Sequence, residues 1–170
     1  MGDQDDTTGN DTGTMSAFER AAMKERAAEL RAEAKRGRGA AKAEQQAQDV
    51  RDGIAEMPDA DRALAEKVSA LVGEEAPNLA PKTWYGMPAW ARDGKVVCFF
   101  QGASKFEARY ATLGFNDPAA LDEGTMWATA FALTDIGAAD EQRIRELLRR
   151  ASADPTADPA AHSAEATAAD

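Results

Sequence analysis

Four carboxylates, Asp49, Asp52, Glu56 and Asp59, stand at spacings of three and four residues, which project side chains to one side of a helix. Oxygen ligands of this kind suit a hard cation such as calcium or iron, and the same run equally makes a solvated helix face. A second group is basic and aromatic. Lys82, Arg92, Lys95, Lys105 and Arg109 face only Asp93 and Glu107 between residues 76 and 110, a positive stretch in a chain whose net charge is -10. Trp84, Tyr85 and Trp90 lie in the same stretch, so one reading is an aromatic wall with Lys105 and Arg109 supplying positive charge to an anionic or planar guest. In the other reading the indoles close one end of a small core and the basic groups pair with the acidic helices, where nine carboxylates meet three basic residues between 44 and 75.

Other reactive types lead to less. Cys98 is the single cysteine, so no disulfide can form within the chain, and its place in "VVCFF" reads as a buried thiol. The single histidine, His162, falls in a tail of small and acidic residues, away from any expected core. Ser104 and Lys105 are adjacent, and on a strand they would point to opposite faces, which argues against a serine nucleophile with a lysine base. "GASKF" lacks the spacing of a phosphate loop. No catalytic constellation is therefore expected, and no cofactor is required.

The elements that must position these residues follow from periodicity. Residues 1–14 and 152–170 lack large apolar side chains and are expected to be disordered. Residues 15–43 read as a charged helical extension and linker: Ser16 and Glu19 have capping-box spacing, Phe18, Met23 and Leu30 are its large apolar residues, and "GRGAAKA" is expected to break it. Met15 is a candidate alternative start. Through residues 15–36 this helix could self-associate or dock on a protein partner.

Residues 44–151 then form the domain proper. Ala43, Ala47, Val50, Ile54 and Met57 mark one helical face, and Leu64, Val68, Leu71 and Val72 mark another after Pro58, with Asp59 as the expected cap. Next the period changes. "WYGMPAWAR" and "KVVCFFQ" flank Asp93-Gly94, a strong two-residue hairpin signal. Pro88 has no N–H to give a ladder, so its segment should be an edge, a bulge or the start of a strand. Ala108–Phe115 and Thr125–Leu133 read as two more strands, and Ala138–Ala151 as a last helix. The expected fold is α+β: an antiparallel sheet of at least four strands with helices packed on one face, plus the N-terminal helical extension.

Several of these residues also carry a resemblance. The helix pair split by Pro58, the segment Tyr85-Gly86-Met87-Pro88-Ala89, the aromatic Trp90, and Gly94-Lys95 ahead of an apolar strand resemble the YdhG-like family, a domain of unknown function, over roughly Gln48 to Ala151. The resemblance implies a small domain with a frataxin-like fold, and one branch of that family is regarded as an intracellular iron chaperone. It implies a binding protein in the cytoplasm, with iron as a candidate cargo for the four carboxylates. Where many relatives carry a Lys-Lys-His-type segment this chain has Ser104, Lys105, Phe106 and Glu107, and the usual Gly-Thr-hydrophobic-Arg-Phe strand is matched only in part by Gly124, Thr125, Met126 and Trp127. No apolar run is long enough to span a bilayer, and the acidic balance argues against nucleic acid and anionic membranes as partners.

Overall fold

The computed structural model describes residues 17–154, and the chain divides between Ala41 and Lys42 into two units. A first helix, α1, spans Ala17–Ala55. It continues through Gly37 and Gly39, where the sequence predicts a break. Each helical glycine costs only about 1 kcal/mol relative to alanine, and the surrounding Ala, Lys, Glu and Gln residues favour helix strongly enough to carry it through. The expected Ser16–Glu19 capping box and the side chains of Phe18 and Leu30 lie outside the described residues, while Met23 is exposed.

In the second unit the end of α1 sends Val50 and Ile54 into the core. Pro58 then stops the helical run, because it has no N–H to donate and its ring restricts the residue before it. The next helix, α2, spans Asp59–Glu75 and buries Leu64, Ala65, Val68, Leu71 and Val72 along one face. Pro58, rather than Asp59, occupies its cap position, without a side-chain bond. Asp59 stands instead in the first turn, where its charge suits the helix dipole and pairs with Arg62.

Five strands follow in a single antiparallel sheet, β1 Ala80–Trp84, β2 Met87–Arg92, β3 Lys95–Gln101, β4 Ala111–Phe115 and β5 Ala130–Leu133, each beside its sequence neighbour. Asp93 and Gly94 have φ of 51° and 79°, so the expected β2–β3 hairpin turns as its sequence requires. A second such turn was not legible. Tyr85 and Gly86, with φ of 48° and 69°, reverse the chain inside "WYGMPAWAR", which therefore forms β1 and β2 and not one strand.

Pro88 finds a place in β2, between β1 and β3, for a geometric reason. Trp84 and Met87 flank the two-residue turn as the hydrogen-bonded pair, so the next pair, Thr83 and Pro88, is the non-bonded one. The ring nitrogen of Pro88 accordingly faces the β3 side, where pairing begins only at Ala89 with Phe99. The last two strands are shorter than expected. β4 starts at Ala111, after Glu107 has turned the chain in a left-handed conformation, and β5 starts at Ala130 because β4 ends at Phe115 and leaves Thr125–Ala128 no strand to pair with.

The third helix, α3, spans Ala138–Ser152 and buries Ile144, Leu148 and Ala151. One sheet face, carrying Trp90, Cys98, Phe100, Leu113, Phe115 and Leu133, closes the core with α2, α3 and the end of α1. On the other face Phe99 lies directly over Gly114, where an added Cβ would come within 2.2 Å of the ring. No described helix is long and apolar enough to cross a membrane.

Candidate functional site

Asp61 sits in the first turn of α2 and is almost completely buried, at 4% exposure. A carboxylate in that position must be satisfied from within the protein. Its Oδ1 accepts from the Ala103 N–H at 3.0 Å and its Oδ2 from the Ser104 N–H at 2.9 Å, where β3 has ended and a 3₁₀ turn, Ser104–Phe106, begins. Gly102 makes the approach feasible, since a Cβ there would lie 2.9 Å from Asp61 Oδ2. The carboxylate thus ties the 3₁₀ turn to the start of α2.

That tie places Lys105. Its Nζ donates to the Gly86 carbonyl at 3.0 Å, joining the 3₁₀ turn to the β1–β2 turn, and it also lies 5.8 Å from the Phe106 ring centre. Between these elements and the end of α1 opens a cleft of about 380 Å³. Met57, Pro58, Met87, Pro88, Phe100 and Phe106 give it apolar walls, and Glu56, Asp61, Ser104 and Lys105 give it polar ones. The pyrrolidine of Pro88, having no donor to offer β3, is part of what leaves this space open.

Of the residues expected to bind a ligand, Lys105 lines the cleft and the others are dispersed. Trp84 is half-buried, packs edge-on against exposed Tyr85 at 4.9 Å and lies tilted against Phe99 at 5.2 Å. Trp90 is buried in the core on the opposite sheet face, because the partner of Trp84 is Met87 and three residues of alternation separate Met87 from Trp90. The three aromatics therefore do not form one wall. Arg109 is exposed and stacks 5.5 Å from the Tyr110 ring. Arg92 is structural, donating to the carbonyls of Ser152, Ala153 and Pro118.

The four carboxylates expected to hold a metal also separate. Asp49 accepts from Gln45 at 2.8 Å, Asp52 from Gln48 at 2.7 Å, and Asp59 pairs with Arg62, while Glu56 lines the cleft. Among the described residues no three His, Cys, Asp or Glu side chains converge as a metal ion would need. The acidic end of α2 is engaged by α3, where Arg145 meets Glu74, Glu75 and Glu141. Those three carboxylates raise the guanidinium pKa further above its already high value.

Cys98 is buried, and loss of solvation pushes its thiol up to about 12. It stays protonated at neutral pH and offers no nucleophile. Ser104 and Lys105, expected on opposite faces of a strand, belong to the 3₁₀ turn, and both line the cleft. Asp61 and Gly102 were not singled out from the sequence, and Gly86 was noted only within the Tyr85–Ala89 segment. No protein-family model, curated protein or solved structure gave a match to this chain.

Proposed function

We propose that the second unit is a binding domain of the YdhG-like kind whose ligand is a small organic anion, held at the cleft between the β1–β2 turn, the 3₁₀ turn and the end of α1. The observation that carries this reading is the Lys105 ammonium. It lines a largely apolar cleft, one of its three N–H groups is used by the Gly86 carbonyl, and among the described residues no carboxylate forms an ion pair with it. Ligand clefts run from about 300 to 1,000 Å³, so this one suits a small molecule with an apolar body better than a bare ion. The order of helix, helix, strands and helix supports the frataxin-like architecture that the resemblance implies. Iron has less support, because the candidate ligands are apart and mostly engaged.

The test is thermal unfolding with a panel of short-chain carboxylates. Tm should rise with ligand concentration for the unaltered protein and stay flat for Lys105→Met, since only ligands that favour the folded state shift the equilibrium. A panel that leaves the Tm of both proteins unmoved sinks the proposal.

A further inference from the structure

Glu56 and Lys105 line the same cleft and carry opposite charges, yet no ion pair joins them. Glu56 is exposed, and its carboxylate has no hydrogen-bond or ion-pair partner among the described residues, in contrast to Asp49, Asp52 and Asp59 along the same stretch. The remaining charged member of the lining, Asp61, has both oxygens occupied by the Ala103 and Ser104 N–H groups, and apolar side chains supply most of the rest. A guest that satisfied Lys105 alone would leave an uncompensated carboxylate at the same opening, and an anion would be repelled by it.

A third member of the lining adds an independent observation. Gly53 lies in α1 near its end, where glycine is disfavoured by about 1 kcal/mol relative to alanine. The other glycines of the cleft have reasons within the chain: Gly86 has a positive φ and Lys105 over it, and Gly102 has Asp61 beside it. Gly53 has none, because an added Cβ would meet nothing within 4 Å. Its missing side chain leaves space on the cleft wall one turn before Glu56.

We infer that the cleft takes a zwitterion with an extended apolar body, its carboxylate at Lys105 and its ammonium at Glu56, with Gly53 giving room for the chain between them. This rests on the small-anion reading and narrows it to amino acids and related amine acids whose two charges lie well apart. Glu56 acts as the specificity determinant and Lys105 as the anchor.

The experiment compares ω-aminohexanoate, hexanoate and hexylamine as ligands, by calorimetry on the full chain. The zwitterion should bind about three- to fivefold more tightly than hexanoate, the gain expected of one exposed ion pair. Glu56→Gln should remove that advantage, with hexanoate bound at least as tightly as by the unaltered chain because the repulsion is relieved. Gly53→Leu should weaken both acids, with Tm in the absence of ligand not lowered. Equal affinity for ω-aminohexanoate and hexanoate, or an advantage that survives in Glu56→Gln, overturns the zwitterion and leaves the anion site standing. Binding of neither acid overturns both.

Discussion

Asp61 gives both carboxylate oxygens to the backbone of a different element, and the consequences reach Lys105. Truncation by Asp61→Ala leaves the N–H groups of Ala103 and Ser104 without their partner in a partly buried setting. Each such group costs about 1 to 3 kcal/mol when fully buried, so at this partly buried place the variant should be less stable by about 2 to 4 kcal/mol, read from urea unfolding. It should also lose ligand response more than this destabilisation explains, because the turn that aims Lys105 is no longer held. A loss below about 0.5 kcal/mol would mean that the two bonds contribute little to the fold. This residue was invisible in the sequence for a plain reason. An aspartate in the first turn of a helix is common for dipole reasons alone, and its partners lie more than forty positions away.

At the level of elements, the two left-handed turns differ in how well their residues suit them. Asp93-Gly94 is a favoured pair, whereas Tyr85 adopts φ of 48° with a bulky side chain that is 80% exposed. The left-handed conformation costs such a residue about 1 to 2 kcal/mol, while an exposed edge contact with Trp84 returns about 0.5. Tyr85→Asn should therefore raise stability by about 0.5 to 1 kcal/mol in chemical denaturation, with the β1–β2 register kept. A destabilised variant would show that the Trp84 contact outweighs the backbone strain. The same turn marks the limit of what periodicity could reveal. Asp93-Gly94 announced its hairpin because both residues are typical of the turn, and α2 and α3 announced themselves through regular apolar spacing. Tyr85-Gly86 did not, since a tyrosine at the first turn position reads as strand. The assignment of Thr125–Leu133 as one strand was too long because composition shows propensity but not whether a partner strand extends beside it. Lys105 alone among the expected ligand-binding residues reached the cleft, since its placement depends on Asp61, Gly86 and Gly102, which are distant in sequence or have no side chain.

For the molecule as a whole, the boundary between Ala41 and Lys42 separates a helical stretch from a unit with its own core. A fragment of residues 42–170 should therefore fold by itself, with one cooperative thermal transition by circular dichroism and the ligand response of the full chain. Absence of a cooperative transition would show that residues 1–41 are needed for folding. A smaller mass in solution than the lost residues account for would assign self-association to them, as the exposed Met23 on α1 allows. The strand order β1-β2-β3-β4-β5 carries a further consequence, for synthesis on the ribosome. Each new strand finds the edge it needs already made by the one just translated, so the sheet can zip up vectorially with short loop closures and slow searches for remote partners are avoided. Only α3 arrives late, and until it docks the core face of the nascent sheet waits half-clad under α2.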